Sequence, residues 1–133
     1  MVDTHVIAFL AVALLALAAA FQLGLAAGAP WGAAAYGGKV VTGDGDLPGA
    51  YRLESGIAAL MLLGTMWVVL ASVSVVGRGP VSLQMLTVIL WCLAVMFGVN
   101  TLGNARGRHL LERWGAGTIT ALLAILCALI AAS

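Results

Sequence analysis

Four stretches of this sequence carry no charged residue: Val6–Ala27, Gly56–Val76, Val81–Leu102 and Gly115–Ala132, of 22, 21, 22 and 18 residues. A membrane-crossing helix needs about 20 apolar residues at about 1.5 Å rise each. Backbone groups in hydrocarbon must be satisfied within their own segment, so runs of this length are helices. They are rich in Ala, Leu and Val and lack period-two alternation, which argues against a β-barrel. Composition agrees. The 133 residues are 63% hydrophobic and 8% charged, against about 25% charged in an average soluble domain, and mean hydropathy is +1.13. A soluble domain this small would leave too much apolar surface in water. The expected fold is all-α: an antiparallel four-transmembrane-helix bundle, one integral membrane domain with helices near 6–28, 52–76, 80–103 and 114–132.

The first run reads as a membrane helix and not as a cleaved signal peptide. Ala27 and Ala29 give an A-x-A shape, but Met1–His5 has no Lys or Arg and Pro30 would follow the cut. The run is also longer than a usual signal core. Gly77–Pro80 reads as a four-residue turn making helices 2 and 3 a tight hairpin, with Pro80 in the first turn of helix 3. Loop 1, near Gly28 to Ala50, is long for such a bundle. With four spans, loops 1 and 3 share one side. That side and its flanks carry Lys39, Arg52, Arg106, Arg108 and Arg113, against Arg78 alone on the other. The positive-inside rule then places loops 1 and 3 in the cytoplasm and both termini outside, in a plasma (inner) membrane.

The net charge of +1 excludes a nucleic-acid partner, which needs a basic face. Cys92 and Cys127 sit in apolar runs without metal-ligand spacing and read as buried small hydrophobes. His5 and His109 fall on opposite sides, so they cannot share a metal or a haem, and no cofactor is expected. Asp44-Gly45-Asp46 begins like a calcium loop, but Pro48 stands at position 5 and Ser55 at position 12, so calcium is rejected. Thr42–Gly45 reads as a turn. There is no G-x-S-x-G, no phosphate-binding glycine loop and no HExxH.

The polar candidates gather at one end. Phe21–Gly38 holds Gln22, five glycines, Pro30, Trp31 and Tyr36. Gln22 lies about six residues inside helix 1, roughly 9 Å deep. A lone amide there needs a partner, and a clamp to a neighbouring helix is the expected use. Asn100 and Asn104 sit four apart near the end of helix 3, and Arg108 extends that face if the helix continues. Asn104 is also placed to cap the helix. Arg52 and Glu54 precede helix 2; Glu112 and Arg113 precede helix 4. Cross-pairs of Arg52 with Glu112 or Arg113 with Glu54 are sterically easier than Arg52 with Glu54. Trp31 and Tyr36 suit interfacial anchors. The tentative ligand-binding set is therefore Gln22, Trp31, Tyr36, Arg52, Glu54, Asn100, Asn104, Arg108, Glu112 and Arg113. Two small-residue stripes, Ala16-Ala20-Gly24-Gly28 and Ala116-Thr120-Ala124-Ala128-Ala132, allow close helix approach within the chain or between chains.

Several segments resemble a group of small bacterial four-helix membrane proteins. They are Gly28-Ala29-Pro30-Trp31-Gly32, then Tyr36-Gly37-Gly38, then Leu47-Pro48 with Arg52 and Ser55, then Asn100 or Asn104 and Glu112-Arg113. That group carries GAPWG after helix 1, LPxxxRxxS entering helix 2 and Asn…Glu-Arg between helices 3 and 4. The resemblance implies a fold and a membrane location but no reaction. The sequence departs from the pattern at Gly103 and Gly107, where serines are expected, and at Gly115, where a Pro is expected.

Three functions stay open. The first is a non-enzymatic membrane subunit or binding protein with a polar site at the loop 1/loop 3 end, favoured by the lack of a mid-membrane acid and of catalytic motifs. The second is an oligomeric small-molecule or ion transporter or channel. The third is a membrane enzyme on a lipid-like substrate, with Glu54, Glu112 and His109 as acid–base candidates. Expected partners are the lipid bilayer and a second copy or another membrane protein.

Overall fold

A computed structural model describes residues 2–38, 43 and 47–133. Four helices carry the architecture: α1 (Thr4–Ala27), α2 (Gly49–Ser72), α3 (Leu83–Ala105) and α4 (Gly117–Ala131). A π-helical turn, Leu111–Ala116, leads into α4, and two short 3₁₀ turns, Gly32–Ala34 and Tyr36–Gly38, follow α1. No strand occurs among the described residues. The four helical stretches, counting the π turn with α4, are 24, 24, 23 and 21 residues long and apolar enough to cross a membrane. At about 1.5 Å per residue each covers the hydrocarbon thickness of about 30 Å. Large apolar side chains on every helix face outward, among them Leu17, Leu60, Val95 and Ile125. Water would penalise that surface and lipid does not.

The helix ends follow local chemistry. Asp3 caps α1 by accepting from the His5 N–H at 2.9 Å, so the helix starts two residues before the expected position 6. It stops at Gly28, whose φ of +97° puts it in the left-handed region. Gly28 and Ala29 donate back to Leu25 and Gly24, a Schellman closure. Ser74, at φ +60°, closes α2 the same way: its N–H bonds Ala71 O and that of Val75 bonds Leu70 O. α2 therefore ends at Ser72 and not near 76. Its start moves up to Gly49, directly after Pro48.

The tight α2–α3 hairpin does not form. Ten residues, Val73–Ser82, link the helices; Ser82 caps α3 by accepting from Met85 N–H at 3.2 Å, and Pro80 stays in the loop. α2 and α3 touch only lightly. α1 packs along α2, α3 along α4, and α4 also meets α1, which joins two hairpin-like pairs.

One apolar core runs through the bundle, built from Ala8, Ala11 and Leu15 of α1, Val68 and Val69 of α2, Leu86, Leu90 and Phe97 of α3, and Leu123 and Cys127 of α4. The α1 face that packs is thus Ala8-Ala11-Leu15-Ala19; Ala16 and Ala20 of the expected stripe are exposed. On α4 the expected stripe does face inward, with Ala124 and Ala128 against the core. Cys127 is fully buried as expected, while Cys92 lies on the outer face. The expected Thr42–Gly45 turn is described only at Gly43, and Lys39, Asp44 and Asp46 lie outside the described residues.

Candidate functional site: the polar end of the bundle

The segment after α1 folds back over the ends of the helices. Leu25, Ala35 and Leu47 form a second, small buried cluster, flanked by Phe21, Tyr36 and Tyr51. Trp31 stacks on Phe21 with ring centroids 5.9 Å apart and planes 8° apart. The stack needs Gly24: a Cβ there would overlap the Trp31 ring, and two further ring carbons would lie only 2.9 Å from it. Trp31 is half-exposed, so its ring covers α1 on one side and faces the surroundings on the other.

Tyr36 is not a free interfacial anchor. Its backbone is left-handed, φ +51°, and its hydroxyl donates to the Tyr51 carbonyl at 3.2 Å while lying 3.0 Å from Ser55 Oγ. Ser55 is fully buried on α2, so the Tyr36 oxygen gives its hydroxyl a partner that the apolar surroundings cannot. The Tyr36 and Tyr51 rings meet edge-to-face at 5.1 Å. This is the α2 anchor of the cap.

The second anchor is Glu112. The side chain is 6% exposed, and Oε1 accepts from the Gly37 N–H at 2.9 Å. Gly37 sits at φ +72°, the conformation that turns its N–H toward the carboxyl. Gly107 makes the seat: a Cβ there would stand 2.6 Å from the Glu112 carboxyl carbon and 2.8 Å from Cγ. The missing side chain at 107 lets the carboxyl lie against the backbone. Glu112 Oε2 is buried without a hydrogen-bond partner among the described residues. Glu112 also stands in the first turn of the π-helical segment, where the helix dipole favours an acid.

The arginines turn elsewhere. Arg52 Nε donates to Ala26 O at 3.1 Å, a carbonyl of the last turn of α1, and its guanidinium covers Gly28. A cation there complements the C-terminal end of the helix dipole. Arg113 donates through Nε and Nη2 to Gly107 O at 3.2 and 3.1 Å. The expected Arg52–Glu112 and Arg113–Glu54 pairings are therefore replaced. Both guanidiniums satisfy backbone carbonyls at chain turns, and the Glu112 carboxyl faces inward to a backbone N–H.

The two asparagines part company. Asn104 is half-buried, and its Nδ2 donates to Thr120 Oγ1 at 3.3 Å. Thr101 Oγ1 lies 3.0 Å from the same oxygen. These three join α3 to α4, so Asn104 binds across helices instead of capping α3, which runs on to Ala105. Asn100 is exposed, as are Glu54 and Arg108. Arg108 passes beside loop 1, its Cβ 3.9 Å from where a Gly38 Cβ would be. Gln22 is half-buried, and its buried Oε1 has no partner among the described residues, so the expected amide clamp is not made there.

The polar end thus brings together Tyr36, Gly37, Ser55, Gly107, Glu112 and Arg113 in one hydrogen-bonded joint between the two hairpins. Sequence reading missed Ser55 as the Tyr36 partner and Thr120 as a polar hub. Thr120 carries a visible signal, a hydroxyl within an apolar run, on the face of α4 that meets α3. Among the described residues no group of three His, Cys, Asp or Glu side chains could hold a metal ion. A shallow depression lined by Ala71, Ser74, Arg78 and Leu83 lies at the opposite, loop 2 end. Compared with protein-family models, curated proteins and solved structures, the chain matches none.

Proposed function

We propose that the protein is a non-enzymatic, multi-pass subunit or binding protein of the plasma membrane. In this reading loops 1 and 3 face the cytoplasm, both termini face outside, and a membrane-protein partner packs on the exposed small-residue face of α1. The observation that carries the reading is the inward Glu112. Its carboxyl is buried on the Gly37 N–H while Glu54 and His109 stand exposed. The acid–base candidates thus differ in access: the buried one fastens the chain, and an enzyme site needs such groups presented to substrate. Tyr36, Arg52, Asn104 and Arg113 are likewise engaged in bonds that hold the fold. Ala16 and Ala20, small and exposed on α1, supply the kind of face on which another membrane helix packs closely.

A photo-cross-linker placed at Ala20 in native membranes tests the reading. A reproducible adduct with one other membrane protein is expected; monomer alone, across growth conditions, would overturn it. Orientation is tested by Asp44→Cys with a membrane-impermeant maleimide. Labelling only after cell lysis is expected, and labelling of intact cells from outside would reverse the assignment.

A further inference from the structure

We propose that loop 3, together with the π-helical turn that follows it, binds the phosphodiester headgroup of a net-anionic phospholipid. The inference does not depend on the partner-binding role above. Half of the chain's six Lys and Arg residues, Arg106, Arg108 and Arg113, fall within eight consecutive positions, and all three are exposed. The only acid in that stretch is Glu112. It is outnumbered three to one, and its carboxyl is 6% exposed and turned inward to the Gly37 N–H, away from the face that carries the guanidiniums. The surface the loop shows is therefore cationic although its sequence contains a carboxylate.

The arginine nearest that acid is held in place. Nε and Nη2 of Arg113 bond Gly107 O, which leaves Nη1 with its two N–H groups for another acceptor. Among the described residues no hydrogen bond engages the guanidinium of Arg106 or Arg108, whose forks match phosphate oxygens two at a time. The apolar half of the site is present as well. Leu110 is 68% exposed, Leu111 54% and Trp114 68%, all interleaved with the arginines. Cations next to exposed Leu and Trp at a helix entry suit the boundary between headgroups and acyl chains. A free anion in water would gain nothing from those three side chains, whereas a lipid uses both halves. A zwitterionic headgroup would bring its own cation against the arginines. The far end of the bundle offers only Arg78.

The full chain, reconstituted in phosphatidylcholine nanodiscs containing a minority of phosphatidylglycerol, provides the test, with lipids retained on the protein read by native mass spectrometry. Wild type is expected to retain phosphatidylglycerol in preference to phosphatidylcholine. Arg106→Gln with Arg108→Gln is expected to reduce that preference by roughly tenfold or more, from the attraction of each basic residue to an anionic leaflet. Arg78→Gln should leave it unchanged. The double Lys variant at 106 and 108 keeps the charges and should restore most of the preference, which separates charge from folding. Equal retention of the two lipids by wild type would overturn the proposal, as would undiminished preference in the Gln pair. Displacement by inorganic phosphate, beyond that by chloride at equal ionic strength, would also overturn it in favour of a free-phosphate site.

Discussion

Replacing Gly107 by Ala sets a new Cβ 2.6 Å from the Glu112 carboxyl carbon and 2.8 Å from its Cγ. Real Cβ atoms do not approach that closely, so one side must move. Gly107 does not occupy the left-handed region. On backbone grounds alone, then, Ala would stabilise by about 0.4–1 kcal/mol through the unfolded state. Two costs oppose this. Forcing a methyl into a filled seat costs about 1–3 kcal/mol. Swinging the carboxyl away instead gives up its bond to Gly37 N–H and leaves a buried group unpaired, about 1–3 kcal/mol. The chain takes the cheaper route, so the net effect is a loss of about 1–2 kcal/mol. Glu112→Ala removes the object of the clash. In that background Gly107→Ala should become neutral or mildly stabilising, a coupling of about 2 kcal/mol, within the range for residues in contact. The assay is reversible unfolding in mixed detergent–SDS micelles, followed by far-UV circular dichroism, for both singles and the double. If Gly107→Ala costs the same with and without the Glu112 carboxyl, Gly107 is not its seat and the reasoning fails.

Gly24→Ala should likewise destabilise, although Ala is favoured over Gly in a helix by about 0.8–1 kcal/mol, because its Cβ meets the Trp31 ring. In a Trp31→Ala background the same change should stabilise, as read by the same unfolding assay. Tyr36→Phe removes a hydroxyl shared by Tyr51 O and Ser55 Oγ and should cost about 1–3 kcal/mol; a smaller loss in a Ser55→Ala background would identify Ser55 as the stranded partner. Thr120→Val keeps shape but removes the oxygen that Thr101 and Asn104 share. It should cost about 0.6–2 kcal/mol, and an unchanged midpoint would show that the α3–α4 pair does not rely on that hub.

The four spans were readable because lipid allows so few solutions: a charge-free run of about 20 residues is a helix whatever its neighbours. Which faces those helices bury was less readable. In a soluble helix the apolar stripe marks the core, but here both faces are apolar, so Ala16 and Ala20 look no less internal than Ala11 and Ala19. The end of α2 is hidden in the sequence for a related reason. Val73–Val76 continue the hydrophobic run, and hydrophobicity alone does not reveal that Ser74 adopts the left-handed conformation that closes the helix. At the polar end the sequence suggests pairing charge with charge, whereas Arg52, Arg113 and Glu112 each bond a backbone group at a turn. Those backbone groups depend on Gly28, Gly37 and Gly107, and a glycine's role as a seat shows only when the side chain that occupies it is in place.

The joining of loops 1 and 3 into one polar end is the claim on which the rest depends, and one disulfide tests it. A Cβ at position 38 would stand 3.9 Å from the Arg108 Cβ, within the usual Cβ separation of about 3.5–4.5 Å across a disulfide. The left-handed backbone at Gly38, φ +69°, makes a Cys there cost about 1–2 kcal/mol, small enough to trap. Gly38→Cys with Arg108→Cys, in a background lacking Cys92, should close an intrachain disulfide under mild oxidation in native membranes, read by peptide mass spectrometry. Gly38→Cys with Arg78→Cys should not. No disulfide in the first pair, or equal yield in both, would contradict the account.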